Sequence, residues 1–382
     1  MRKIFLQVYV AVFCCILLTP LAVVLSGKQD PLPFFEKRGL AECPELNVAL
    51  LDPFPAKFER YFNDHFPYRN SSIQLLNYVD LRYFGKSPVP SEIIVGTDGW
   101  LFSGTKDMEF LLGQQPLTDS MITAMIAELN DRYEKCRSIG AEYRLVILPS
   151  KVSLYPEHLP LTYRFTKWQF PMEAFMKRCS AECKAPVLYL LDSLRAHKDE
   201  QELFYHYDSH WNDAGYYYGY RSIMSWVLTG SDRRQLLDVD LSKPKEALTL
   251  PGNYTEMLGM QADQHELFRV PDCPGDSVVH DRAKEGYPCR AGFGYCDQYE
   301  LAYRNTDTTL PGLVVVHDSY TNSNMQRMIA AHFGRSTFIW DYWEHKLNKE
   351  ILAKEKPDLV LCIMCENFLP NLLKFPNRSE TT

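Results

Sequence analysis

Apolar positions change rhythm several times along this chain, and each change marks an element. From Ile4 to Leu25 the chain is apolar except at Gln7, Thr19 and Pro20, a run long enough to cross a bilayer as a helix. Residues 27 to about 55 hold many prolines and no periodicity, the pattern of a linker. Phe58, Phe62, Ile73, Leu76, Val79 and Tyr83 then recur at helical spacing, predicting a helical segment over 56–84. Pro88 and Pro90 end it. Ile93-Ile94-Val95 and Trp100-Leu101-Phe102 flank Asp98-Gly99, which predicts a short hairpin.

From residue 118 helix and strand alternate. Ile122, Met125, Leu129, Tyr133 and Cys136 form one helical face, closed by Gly140. Apolar runs predict strands at 143–148, 187–191, 312–316, 337–340 and 359–364. Helices are expected over 171–182, from Asn212 or Asp213 to about 228, over 320–333, and between the last two strands. Short apolar strands separated by helices predict an α/β fold, with a mostly parallel sheet between two helical layers. Residues 230–310, rich in Pro, Gly and charge, read as a long insertion with small strands.

Composition narrows this picture. With 382 residues, 46% of them hydrophobic, the chain can fill a full core. A net charge of −7 argues against nucleic acid as a partner. Arg2 and Lys3 precede the first apolar run, which places the N-terminus in the cytoplasm and the rest outside. Val24-Leu25-Ser26 would serve as a signal cleavage site, but the run exceeds a usual signal core and favours an uncleaved anchor. Of the eleven cysteines, Cys14 and Cys15 lie in that run. Cys273, Cys289 and Cys296 share a loop-like stretch and are the best disulfide candidates, whereas Cys362 and Cys365 fall in a buried strand. Cys179 and Cys183 lack a second pair at zinc-finger spacing.

Two segments carry the candidate chemistry. Asp208-Ser209-His210-Trp211 sets an acid and an imidazole two residues apart. Val314-Val315-Val316-His317-Asp318-Ser319 is an apolar run that stops at a serine, expected at the start of the following helix. A serine needs a general base to become a nucleophile, and an imidazole oriented by a carboxylate supplies one. The unpaired N–H groups of a helix start would favour an oxyanion. Each segment also has a plainer reading, Ser319 as a helix cap and Asp208–His210 as a structural pair.

Taken together, several segments resemble the alginate O-acetyltransferase AlgJ/AlgX family of the SGNH (GDSL-like) hydrolase superfamily. They are Phe58-Glu59-Arg60-Tyr61-Phe62-Asn63-Asp64-His65-Phe66-Pro67-Tyr68-Arg69-Asn70, Gly96-Thr97-Asp98-Gly99-Trp100-Leu101-Phe102, Leu148-Pro149-Ser150-Lys151, Tyr155-Pro156-Glu157-His158-Leu159-Pro160, Asp208-Ser209-His210-Trp211 and His317-Asp318-Ser319-Tyr320. The resemblance runs over roughly residues 50–370 and includes the order of Asp and His before Ser. It implies a three-layer SGNH-like domain over 91–382, preceded by a membrane helix (1–26) and a linker with a helical segment (27–90). Ser319 would be the nucleophile, His210 the base and Asp208 its orienter. Lys151, Trp211, Tyr320 and Asn322 would lie around the substrate, although Trp211 has a simpler place beneath the imidazole and Lys151 in a solvated loop. The implied reaction is acetyl transfer onto an exported polysaccharide, in the periplasm, without metal or cofactor. A membrane-bound O-acyltransferase would bring the acetyl group, and residues 4–25 would hold the inner membrane. An esterase on the same residues, or a non-catalytic scaffold of an export complex, remains open from sequence.

Overall fold

The computed structural model describes residues 2–26, 39–46, 52–104, 108, 109, 111, 113, 117–164, 171–228, 236–260 and 264–377. Much of the expected linker (27–38 and 47–51) lies outside the described residues, as do 229–235 and 261–263 of the expected insertion. The chain divides into two compact units, Met1–Pro90 with Pro251–His265, and Ser91–Leu250 with Glu266–Thr382.

The first unit contains α1 (Arg2–Ser26), whose Lys3–Pro20 stretch has a mean hydropathy of 1.9 and is long and apolar enough to cross a membrane. The segment expected over 56–84 is two helices, α2 (Phe54–Asp64) and α3 (Arg69–Val79). Pro67 has no N–H to continue α2, and Tyr68 turns through a left-handed φ of 56° before α3 begins. Residues 251–265, expected within the insertion, group with this unit. Asn77 donates to the Leu258 carbonyl at 2.7 Å and Gln74 to that of Gly259 at 2.5 Å.

The second unit opens with a hairpin of β1 (Ile93–Val95) and β2 (Leu101–Ser103). Its turn has φ of 55° at Asp98 and 84° at Gly99, with the Trp100 N–H donating to the Thr97 carbonyl at 3.0 Å. Two consecutive positive φ values are what an Asp-Gly pair accommodates in a hairpin. The alternating region follows as α4 (Asp119–Ser138), β3 (Glu142–Leu148), α5 (Pro171–Glu182), β4 (Val187–Tyr189) and α6 (Asp213–Val227). A two-stranded ribbon, β5 (Pro244–Leu250) with β6 (Glu266–Pro271), is followed by β7 (Val279–Asp281) and β8 (Glu300–Asn305). There follow β9 (Gly312–His317), α7 (Ser323–Ala330), β10 (Arg335–Trp340), α8 (Lys349–Glu355) and β11 (Leu359–Cys365).

The main sheet has seven strands in the order β4-β3-β11-β9-β10-β8-β7. The first five are parallel, and β8 and β7 extend it antiparallel. The sheet is therefore mixed at one edge, and the second half of the expected insertion belongs to it. Alternation along the strands feeds two cores. Val146, Val315, Leu361 and Ile363 pack with α6 and α7 on one face. Leu145, Val314, Val316, Val360 and Met364 pack with α4, α5 and α8 on the other. Three layers result, as in the expected architecture.

Of the three candidate cysteines, Cys289 and Cys296 form a disulfide and Cys273 is a buried thiol. Cys362 and Cys365 are buried thiols in β11, one on each face of the sheet.

Candidate active site

Ser319 stands two residues beyond β9, at the carboxyl edge of the sheet, where open α/β folds bind ligands. It is not at the helix start. The helix expected from Tyr320 begins at Ser323, capped by Asn322, whose side-chain oxygen accepts from the Met325 N–H at 2.9 Å. Ser319 instead occupies a turn stapled by Asp318. One carboxylate oxygen of this buried Asp accepts from the Tyr320 N–H at 3.0 Å, and the other from the Cys365 N–H at 2.7 Å. The turn is thereby tied to the end of β11. Asp318, to which the sequence assigns no role of its own, is the residue that sequence reasoning missed here. Its signal was a carboxylate within an otherwise apolar run. His317, also buried, has its imidazole held neutral, with burial lowering its pKa to about 4.

The other half of the site is the loop between Leu203 and Asn212. Phe204 and Trp211 form an antiparallel bridge, and the Asn212 N–H donates to the Leu203 carbonyl at 2.9 Å. At its tip, Asp208 Oδ1 accepts from the His210 N–H at 2.9 Å and from His210 Nδ1 at 2.7 Å. With the proton on Nδ1, Nε2 is left as an acceptor, and it lies 2.9 Å from Ser319 Oγ. The carboxylate is buried, while His210 and Ser319 are partly open. A buried acid thus supports a partly open imidazole and hydroxyl.

Two supports fix this loop. Trp211 is 2% exposed and lies in a notch of α6 made by two glycines four residues apart. A Cβ on Gly219 would come within 2.7 Å of the indole, and one on Gly215 within 2.2 Å of the Leu203 carbonyl oxygen. The indole N–H donates to the Tyr320 carbonyl at 2.8 Å, and the Tyr320 hydroxyl donates to the Ser209 carbonyl at 2.9 Å. These bonds join the imidazole loop to the serine turn. Trp211 and Tyr320 thus pack between the imidazole loop and the serine turn, the simpler of the two places the sequence offered Trp211.

Lys151 is the second support, and its reading as a solvated loop lysine is corrected. It is neither a solvated loop residue nor a surface contact, being 3% exposed. Its ammonium donates to the carbonyls of Leu101 at 2.5 Å, His206 at 2.7 Å and Asp208 at 3.2 Å, and lies 5.0 Å from the centroid of the Trp100 ring. Burial lowers its pKa to about 7, partly opposed by the carboxylates of Glu266, Asp208 and Glu202. Glu266, at the start of β6, also accepts from the Tyr207 N–H, and no local pattern had marked it. The Asn322 side-chain oxygen is engaged in its cap.

The chain is similar to several known proteins. Residues 93–285 match the family described as "SGNH hydrolase-like domain, acetyltransferase AlgX". That region carries Asp208 and His210 and ends before Ser319. The probable alginate O-acetylase AlgJ of Pseudomonas aeruginosa is 29% identical over 178 residues, 46% of this chain and 41% of that protein. The probable alginate O-acetylase AlgJ of Pseudomonas syringae pv. tomato is 26% identical over 211 residues, 54% of this chain and 48% of that protein. The matches thus span less than half the length of these curated relatives. The structure of Bacillus cereus PatB1 with a sulfonyl adduct aligns with a TM-score of 0.50 at 14% identity, covering 73% of this chain and 96% of PatB1. That likeness is one of fold. By the extent of the family match, this chain belongs to the AlgX-type acetyltransferase family of SGNH hydrolase-like domains.

Proposed function

We propose that this protein is an O-acetyltransferase that acylates Ser319 and passes the acetyl group to hydroxyls of an exported polysaccharide. The observation that carries the reading is the hydrogen-bonded line from Asp208 through His210 to Ser319, at 2.7 and 2.9 Å, in a chain of acetyltransferase family. In the first half-reaction, Ser319 Oγ attacks the carbonyl of an acetyl donor while His210 Nε2 takes its proton. Asp208 holds the imidazolium through Nδ1. The Ser319 N–H, which donates to no acceptor among the described residues, is the first candidate donor to the oxyanion. Collapse returns the proton to the leaving group and leaves an acetyl ester on Ser319. In the second half, His210 deprotonates a sugar hydroxyl, which attacks the ester and frees the serine. This proton traffic is complete with the three side chains.

The named relatives supply the substrate class, alginate, and this chain's own polymer is expected to be an exported glycan of that kind. Helix α1 would anchor the protein to the inner membrane with the site on the periplasmic side. The acetyl donor would be served by a membrane-bound O-acyltransferase.

The test uses the full chain in detergent micelles with an activated acetyl ester, read by intact-mass spectrometry. One acetyl should appear on the wild type and none on Ser319→Ala. Adding oligosaccharide should then move label from enzyme to sugar. Release to water alone would instead identify an esterase on the same residues. No adduct and no turnover from a folded protein would overturn the catalytic reading in favour of a scaffold.

A further inference from the structure

Beside the triad, the carboxyl edge of the sheet carries a second feature that the chemistry leaves unused. Strands β9 and β10 pair in parallel with His317 opposite Trp340. The chain leaving β10 therefore starts next to the chain that reaches Ser319. The two segments also touch, since His345 Nε2 lies 3.6 Å from Asp318 Oδ2 and both side chains are fully buried. The segment after β10, with residues 288–293, lines an open cavity of about 580 Å³.

The walls of this cavity are held in place at a cost. Tyr342, which lines the cavity, and its neighbours Trp343 and His345 have φ of 58°, 60° and 53°, left-handed values that are uncommon for side chains of this size. Such residues persist where the surroundings over-determine them, and they gather at ligand sites. Here the Asp341 carboxylate holds the turn, accepting from the His345 N–H at 2.7 Å and the Lys346 N–H at 2.6 Å. Arg290 and Phe293, which also line the cavity, sit in the short loop closed by the Cys289–Cys296 disulfide.

Between these walls the cavity presents an aromatic face inside a frame of paired charges. Tyr342 is 37% exposed, and its ring meets that of Phe293 edge to face at 5.3 Å. The Arg290 guanidinium sits 4.8 Å from its centroid and pairs with Glu344, which also pairs with Lys346 at 3.3 Å. Lysine and arginine in the lining are matched by carboxylates, so the cavity offers many donors and acceptors without a strong field of one sign. A pyranose ring fits this chemistry. Its C–H face packs on an aromatic ring, and its hydroxyls both donate to carboxylates and accept from guanidinium and ammonium groups.

We propose that this cavity binds a sugar ring of the glycan, which thereby lies along the sheet edge past Ser319; that this glycan is the acetyl acceptor rests on the function proposed above. Tyr342 is the platform and Arg290 with Glu344 the polar clamp.

The test is direct binding. Cellohexaose, chitohexaose and an oligomannuronate hexamer are titrated calorimetrically into the full-length protein in micelles. The proteins are wild type, Tyr342→Ala, Tyr342→Phe and Arg290→Met, each with its melting temperature. At least one hexaose should bind the wild type, and the preferred one identifies neutral, amino or uronic sugar. Tyr342→Ala should weaken binding about tenfold or more, while Tyr342→Phe keeps the ring and most of the affinity. Should Tyr342→Ala melt early, Arg290→Met decides, because its side chain is largely exposed. No binding to folded wild type, or equal binding by a variant that melts normally, overturns the proposal. An acetyl adduct on Ser319 together with unaltered binding sinks the cavity assignment alone. Lost binding in the variants without any adduct keeps the glycan site and sinks the acyl-transfer reading.

Discussion

At the scale of residues, the candidate site depends on groups that touch no substrate. Asp318 satisfies two backbone N–H groups with one carboxylate. In Asp318→Asn one of those donors would face an amide NH₂. We expect a loss of about 1–3 kcal/mol, the cost of an unmade buried hydrogen bond, and a slower acylation of Ser319. Urea unfolding and pre-steady-state acylation would measure both, and an unchanged acylation rate would show that other contacts hold the turn. Lys151 poses a sharper case, since its acceptors include the carbonyls of His206 and Asp208. Lys151→Met should lower kcat on a small ester while leaving KM nearly unaltered, because it misplaces the base without removing a binding group. Asp208→Asn should cost about 10⁴ in kcat, as expected when the imidazole loses its orienting carboxylate.

At the scale of elements, the hairpin, α4 and α6 were legible because their signals are local. Asp98-Gly99 supplies the two positive φ values, Gly140 ends α4 at φ 83°, and Asn212 caps α6 by accepting from the Gly215 N–H at 3.0 Å. The start of α7 was not legible, because Asp318, Ser319 and Asn322 all suit a helix N-terminus and only tertiary contacts chose between them. Asp318 is taken by the Cys365 N–H, from a strand that is close in space and distant in sequence, and the helix starts at the next available cap. The notch in α6 had no sequence signature beyond two glycines, which read simply as weak helix formers. It gives a clear prediction. Gly215→Ala should push the Leu203–Asn212 loop away from the serine, lowering both the melting temperature and the acylation rate. An alanine variant with full activity would mean that the loop takes its position from Lys151 and Tyr320 instead.

At the scale of the molecule, buried imidazoles make stability depend on pH. Burial lowers the pKa of His332 to about 4, and its Nε2 lies 2.7 Å from the Tyr220 hydroxyl, which donates to it. In the unfolded chain an ordinary histidine titrates near 6.5. Between those values the unfolded state binds the extra proton, so stability falls as pH drops from about 6.5 towards 4. His317 acts in the same direction, whereas Asp341, raised by burial to about 6, opposes it. The His332 share is isolated by His332→Gln, which keeps an acceptor and cannot be protonated. Its pH slope of unfolding free energy over this window should be shallower by about 1.4 kcal/mol per pH unit, equivalent to about one proton. Equal slopes in urea titrations of the two proteins would show that His332 is charged, or exposed, in the native state.

Local pattern determined the hairpin, the five parallel strands and their alternation with helices, the apolar N-terminal helix and the three residues of the candidate triad. Period, caps and turn residues act within a few positions, so they survive in a single sequence. Tertiary structure decided everything that joins distant segments. It brought His210 to Ser319 across 109 positions of chain, and it turned Lys151 from a surface charge into an internal strut. It chose Cys289 and Cys296 from three candidate thiols, and it added β8 and β7 to the sheet in the antiparallel sense. These outcomes follow from burial and from the pairing of backbone groups between elements. Such contacts leave no period in the sequence, because each partner is set by the packing of the whole unit rather than by its neighbours in the chain.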